Sequence, residues 1–292
     1  MTTRDTAFLF DCEGDELVGL ISAPVGEIAG IGVLIVVGGP QYRVGSHRQF
    51  VLLARYLAAA GIPCMRFDYR GLGDGTGEQR DFENIGADVR AAVDAFCERM
   101  PAVKRVVLWG LCDGATASCF HAQHDPRVAG LMLLNPWVKT AAGEARTYLK
   151  HYYLRRLVDP GFWKKLFAGK VSVGRSLDEV VKAARTANGK DTGGSAQLSA
   201  AEGELPQRMA TALLRARKPF RVVLSGRDYI AREFEQAVAA GGPWEKLPGA
   251  RNPERLEDAD HTFSSAAWRM AVARATADWA GRLGQGEEGR ER

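Results

Sequence analysis

Apolar residues in this chain arrive in short continuous runs, and between the runs they recur at helical spacing. Residues 30–37, 62–67, 105–111, 128–134 and 220–225 are rich in Val, Ile, Leu and Met with few polar interruptions, the pattern of strands buried on both faces. Phe50, Leu53 and Leu57, then Ile85, Val89, Val93 and Phe96, each line one face of a helix. Ser46 and Gln49 have the spacing of a capping box that opens the first of these helices, and Gly61 closes it. Residues 7–23 hold two apolar runs around a Glu-Gly-Asp turn, a hairpin. A weak strand is expected near 254–257 and a terminal helix around Trp268, Met270, Val272 and Trp279. Strand and helix alternate up to residue 136, which predicts an α/β fold with a mostly parallel, doubly wound sheet of about eight strands.

The alternation stops over 137–205. There Tyr148, Tyr152, Tyr153, Leu154, Leu157, Phe162, Trp163 and Leu166 recur at helix-like spacings, while 188–204 carry few large apolar residues. The section is expected to be a helical cap inserted into a core of residues 1–136 and 206–284, with a flexible tail at 285–292. A length of 292 residues, 46% hydrophobic and 25% charged, suits one large α/β domain with an insertion.

The net charge of +4 is small, but 140–175 hold eight Lys and Arg residues against Glu144 and Asp159. A solvated helix face accounts for such a surplus; an anionic ligand or an acidic partner protein is the alternative. No nucleic-acid partner is expected. No apolar run approaches a membrane span, and the opening residues lack a secretion signal. Cys12, Cys64, Cys97, Cys112 and Cys119 are an odd number without metal-type pairing. Free thiols in the cytoplasm are therefore expected, with no cofactor. His121 and His124 have a metal-compatible spacing but no third and fourth ligand to go with them, so no metal site is expected either.

Candidate chemistry centres on Gly110-Leu111-Cys112-Asp113-Gly114. Lying between an apolar run and a stretch of small residues, it fits the G-x-S-x-G nucleophile elbow with cysteine at the tip. Glycine is needed on both flanks because a Cβ there would clash with strand and helix. A tip residue at a helix N-terminus has its thiolate favoured by the dipole. An ordinary turn with a buried cysteine is the plainer alternative. Asp228 follows a later apolar run and His261 precedes the terminal helix, which reproduces the chain order Ser, Asp, His of the α/β-hydrolases.

The chain resembles that superfamily along almost its whole length. Asp68-x-Arg70-Gly71-x-Gly73, Ser225-Gly226-x-Asp228 and Asp260-His261-Thr262-Phe263 fall where its members carry such motifs. More narrowly, Gly39-Pro40-Gln41-Tyr42-Arg43-Val44-Gly45-Ser46-His47-Arg48 with the cysteine elbow is similar to the type 1 hydrolases of exosortase A systems, which accompany bacterial exopolysaccharide loci. Dienelactone hydrolases and some thioesterases are similar in using cysteine.

The resemblance implies that Cys112 attacks an acyl carbon and forms a thioester. His261 takes the proton and later activates water or another acceptor, and Asp228 orients the imidazole. The oxyanion is expected to meet the N–H of Asp113 and one from the loop after the first long strand. Pro40 has no N–H, which leaves Gly39 or Gln41. Asp258 and Asp260 compete with Asp228, but both lie so close to His261 in sequence that local turn bonds are expected of them. Asp113, if it points inward, opposes thiolate formation. Tyr42, His47, Trp137, Tyr152 and Trp163 are candidates to line the pocket, and Arg70 to make a structural ion pair. The leading function is hydrolysis of a small-molecule acyl ester or thioester through acyl-Cys112. Acyl transfer to a glycan hydroxyl or an amine, and a non-catalytic binding protein that kept the fold, are the alternatives. The basic cap suits an acyl carrier protein or coenzyme A thioester as donor.

Overall fold

The computed structural model describes residues 3–39, 41–139 and 203–286. The cap expected over 137–205 lies outside these apart from its ends, and with it Tyr152, Trp163 and the basic stretch; the last six residues of the expected tail lie outside as well. The sheet belongs to the larger of two units of the chain, Met1–Val138 with Met209–Arg292.

The chain opens with a hairpin of β1 (Thr3–Cys12) and β2 (Asp15–Pro24). Glu13 and Gly14 both take positive φ, 55° and 88°, which gives a two-residue turn whose twist matches that of the strands. Then follow β3 (Ile31–Val36), α1 (Gln49–Ala59), β4 (Cys64–Asp68), α2 (Gly86–Arg99), β5 (Arg105–Leu111), α3 (Asp113–Ala122) and β6 (Val128–Leu134). The chain resumes with α4 (Leu205–Ala216), β7 (Phe220–Ser225), α5 (Tyr229–Ala239), the single-turn α6 (Pro248–Arg251), β8 (Glu254–Leu256) and α7 (Ala266–Gln285). The eight strands form one sheet in the order β1-β2-β4-β3-β5-β6-β7-β8. β1, β2 and β4 pair antiparallel in succession, and all other neighbours are parallel.

Alternation along the strands divides the core. Ile31, Val33 and Ile35 of β3 and Val107 and Trp109 of β5 pack with Phe50, Leu53 and Leu57 of α1 and with Val272, Trp279 and Leu283 of α7. Leu34, Val36, Val106 and Leu108 point the other way, toward Val89, Val93 and Phe96 of α2 and Met209 and Leu213 of α4. Each such side chain, fully buried, stabilises the fold by about 1.5–3 kcal/mol. Trp109 Nε1 donates to the buried Thr276 Oγ1 of α7 at 3.2 Å, which satisfies the one polar atom the large ring carries inward. From β3 the chain crosses to β4 on one side, and from β5 to β6 on the other. The carboxyl ends of the adjacent β3 and β5 therefore border a crevice, the place where parallel sheets bind ligands.

The capping box does not form. Ser46–Arg48 is a short 3-10 turn with His47 and Arg48 at φ 52° and 59°, and α1 begins only at Gln49. The Ser46 N–H donates to Gln41 Oε1 at 3.0 Å and Gln49 Nε2 to the same oxygen at 3.4 Å. Gln41 thus takes the Ser46 amide that a capping box would have paired, and engages the Gln49 side chain that would have accepted it. Among the described residues, three helices stand where the sequence pattern assigned none, α4, α5 and the single-turn α6. The terminal helix runs through Gln285 into the expected tail and is closed by Gly286 at φ 79°, a left-handed cap.

Candidate active site

β5 ends at Leu111, and Cys112 turns the chain at φ 60°, ψ −128° into α3. A non-glycine residue held in such a conformation costs on the order of 1–3 kcal/mol and needs surroundings that enforce it. Three glycines let those surroundings close in. A Cβ on Gly110 would stand 2.5 Å from Ala115 N, one on Gly114 2.4 Å from Val36 O, and one on Gly38 2.5 Å from Leu111 O. The Cys112 N–H donates to Leu134 O at 2.9 Å, and the Cys112 carbonyl accepts from Ala115 N at 3.1 Å and Trp137 N at 3.2 Å. The turn is thereby tied to β6 and to the segment that follows it.

The expected thiolate is not what the surroundings favour. Burial, then the charges of Asp113 and Asp228, push the Cys112 thiol up to about 12 against a single opposing backbone N–H, that of Asp113. Asp113 points inward. Its Oδ1 accepts from the Gly39 N–H at 2.6 Å, so this candidate oxyanion donor is already engaged. Burial raises the Asp113 carboxyl above its ordinary value, although the backbone N–H groups of Gly39, Gly114 and Asp113 and the nearby His261 pull it down. The dipole of α3 is a fraction of a charge spread over its first turn, and here it meets a full carboxylate charge and desolvation.

The loop carrying Gly39 and Gln41 is braced from β4. Asp68, wholly buried, accepts from Arg43 N at 2.7 Å and Asp74 N at 3.1 Å and pairs with the Arg43 guanidinium, whose other arm reaches Asp74 at 2.7 Å. Arg66 Nη1 donates to the Arg43 carbonyl at 3.0 Å. Sequence reading gave neither Arg43 nor Asp68 a role. The signal available was an acidic residue closing a buried strand before a glycine-rich loop. Arg70 lies in the same loop and forms a two-pronged bond to buried Asp88, with a third contact to Glu13.

After β7, Gly226 passes so close to the following loop that a Cβ would lie 2.1 Å from Glu257 O. Asp228 then uses both of its oxygens. Oδ1 caps α5 through Ile230 N at 3.2 Å, and Oδ2 lies 2.8 Å from His261 Nδ1. With a carboxylate as partner, Nδ1 carries the proton and Nε2 is left as the acceptor. Asp228 is 7% exposed and the His261 side chain 32%, so the pair is shielded on one side and open on the other. Asp260 instead accepts from Thr262 N at 3.1 Å, Ser264 N at 3.0 Å and the Ser264 hydroxyl. Burial works against its charge, but these bonds outweigh it and hold its carboxyl below the ordinary value. Asp258 pairs with exposed Arg227 at 2.8 Å.

Asn135, one residue past β6, is wholly buried at φ 40°. Its Nδ2 donates to Ser225 Oγ at 2.8 Å and to the His261 carbonyl at 3.0 Å, its Oδ1 accepts from Ser225 N at 2.8 Å, and Ser225 Oγ donates to Asp260 O at 2.8 Å. One amide thus fixes the histidine loop to the ends of β6 and β7. Asparagine tolerates positive φ better than most residues, so an Asn-Pro pair ending a strand was the available signal for this missed residue.

Residues 33–237 match the family described as serine aminopeptidase, S33. The chain belongs to this α/β-hydrolase family. An esterase of Pyrococcus furiosus shares the fold with a TM-score of 0.64 at 13% identity, covering 96% of this chain and 91% of its own. A dienelactone hydrolase of Anabaena variabilis does so with 0.59 at 15% identity, over 96% and 97%. A polyketide transferase of a Penicillium species is 32% identical over 99 residues, a match that spans 32% of this chain and 33% of that one. The family description speaks of a serine, whereas the elbow of this member carries Cys112.

The remaining candidates of this S33-family chain spread out. His47 is exposed, and Tyr42 is 46% exposed with the Arg43 guanidinium over its ring. Trp137 is half-buried, and its carbonyl accepts from Thr116 Oγ1 at 2.6 Å. All five cysteines are free of disulfides. Among the described residues no cluster of three or more His, Cys, Asp or Glu can hold a metal ion, and no helix is long and apolar enough to cross a membrane.

His121 is buried, 3.9 Å from Asp125, and its Nε2 has no hydrogen-bond partner among the described residues. Burial lowers its pKa to about 4, helped by the positive charges of Arg90, His124 and Arg127 and opposed by Asp125. The unfolded chain takes up a proton near 6.5 that the folded chain refuses until about 4. Stability is therefore expected to fall as pH drops through that window, by up to about 3 kcal/mol. Denaturant midpoints at pH 7 and pH 4 would show this loss shrinking in His121→Leu; an equal loss in both proteins would sink the assignment.

Proposed function

We propose that the protein cleaves acyl esters or thioesters through a thioester on Cys112. The observation that carries this is the strained turn at Cys112, preceding in chain order a His261–Asp228 pair at 2.8 Å. Cys112 gives its proton to His261 Nε2 as sulfur bonds to the acyl carbon, and the carbonyl electron pair moves onto oxygen. Collapse breaks the bond to the leaving group, which takes the proton from imidazolium. Water then attacks the thioester with His261 as base, releasing the acid and the Cys112 thiol. Asp228 holds the imidazole tautomer throughout. The oxyanion meets the N–H of Asp113 and one N–H of the loop after β3, that of Gly39 or Gln41.

Transfer of the acyl group to a hydroxyl or amine is the second reading, supported by the partial match to a polyketide transferase. The stretch Gly39–Arg48 supports a substrate linked to exosortase and exopolysaccharide systems. The basic surplus over 140–175 supports a carrier-protein or coenzyme A thioester as donor.

Intact mass after brief exposure to butyryl-coenzyme A and p-nitrophenyl butyrate, with and without glycan or amine acceptors, tests the proposal. The expected result is a transient adduct mapped to Cys112 and free butyrate. Acylated acceptor would move the assignment to transfer. No adduct and no turnover with any donor would leave a binding protein with a hydrolase fold.

A further inference from the structure

The loop after β3 and the first turn of α3 meet over one contact, the Gly39 N–H on the Asp113 carboxylate at 2.6 Å. The approach is built in. A Cβ on Gly38 would stand 2.2 Å from Asp113 Oδ1, and Gly39 itself sits at a φ of 62°. The same carboxylate feels His261 and opposes ionisation of Cys112, which the backbone N–H of Asp113 favours. An anion therefore sits beside the elbow cysteine, on an amide of the loop from which an acyl-transfer site draws its second oxyanion donor.

Resting on the reading of Cys112 as nucleophile, we propose that Asp113 is a built-in occupant of the oxyanion site, holding the Gly39 N–H until a substrate carbonyl oxygen displaces it. A carboxylate and a developing oxyanion cannot share one amide, because two negative charges about 3 Å apart repel strongly where water is excluded. Acylation requires the Asp113 side chain to leave, and its departure also removes the nearest negative charge from Cys112. A ligand can drive that displacement only with binding free energy gained elsewhere. Small activated esters, which bring little, should acylate the resting enzyme slowly, while a substrate with a large recognised portion opens its own site. Asp113 is thus a positioning residue that makes the reactivity of Cys112 depend on substrate.

Two reactions of Cys112 separate this from a general charge effect. Alkylation by iodoacetamide needs a thiolate but no oxyanion donor, whereas acylation by p-nitrophenyl acetate needs both. Asp113→Asn removes the charge but keeps an oxygen able to accept from Gly39, and Asp113→Ala frees the amide as well. Both rates, followed by intact mass and mapped to Cys112, should rise in Asp113→Asn. In Asp113→Ala acylation should gain a further factor on the order of 10² that alkylation does not share, the worth of one oxyanion donor. Equal gains in the two reactions, or an acylation rate lower than wild type in a variant with unchanged thermal midpoint, would overturn the proposal and make Asp113 a brace. No acyl adduct on Cys112 in any variant, with alkylation intact, would instead overturn the reading of Cys112, and the occupant role with it.

Discussion

Cys112→Ala is expected to lower acyl turnover by a factor on the order of 10⁵–10⁶, because removing the nucleophile of a triad costs about as much as removing the whole triad. The fold should barely register the change. Cys112 is only partly buried, and its bonds to Leu134, Ala115 and Trp137 all run through the backbone. Alanine at φ 60° carries the same left-handed strain that cysteine does. Steady-state kcat/KM with a butyryl thioester, beside the thermal midpoint, checks both halves. Turnover within tenfold of wild type in a folded Cys112→Ala would exclude a thioester route. Cys112→Ser is the informative companion. If the His261–Asp228 pair acts as a base on residue 112, it can also activate a serine hydroxyl there, and the loss should be smaller.

Asp228→Asn is expected to reduce kcat by roughly 10³–10⁴ with KM little changed. A carboxylate fixes Nδ1 of His261 as the protonated nitrogen and stabilises the imidazolium, and an amide does neither reliably. Structure should be spared because asparagine is as good an N-cap as aspartate, so the bond from Ile230 N that starts α5 survives. This makes the substitution a test of chemistry rather than of folding. The loop carrying His261 is held separately, by Asn135 through the His261 carbonyl and by Asp260 through Thr262 and Ser264. Burst and steady-state rates at several pH values would reveal the effect, since a lost base shows as a rate that recovers at high pH. A kcat within threefold of wild type would remove Asp228 from the reaction.

The two carboxylates whose charges act on Cys112 stand differently. Asp228 is engaged by the His261 imidazole and by the Ile230 N–H it caps. Asp113 is balanced by the backbone amides of Gly39, Gly114 and Asp113 and by the nearby His261, and the Gly39 amide is the one we propose a substrate oxygen would take. Burial is the largest cause that pushes the Cys112 thiol up to about 12, and the charges of Asp113 and Asp228 add to it.

Much of the fold was legible in the chain because its signals are local. Continuous apolar runs such as 31–36 mark strands buried on both faces, and their alternation with helical periodicity fixes a parallel sheet. The G-x-C-x-G turn, with Asp228 and His261 following in order, is readable since strand ends and glycine positions are written in adjacent residues. Three-dimensional structure alone decided what depends on approach between distant segments. Gly39 and Asp113 are 74 positions apart, and no sequence spacing shows that the carboxylate turns onto that amide instead of toward solvent. Ser46 and Gln49 had the capping spacing, but Gln41 took the Ser46 amide and the Gln49 side chain. Asn135 became the anchor of the histidine loop because β6 and β7 are neighbours in the sheet. Local propensity sets which elements form; which polar groups then compete for the same few donors is settled only when packing has brought them together.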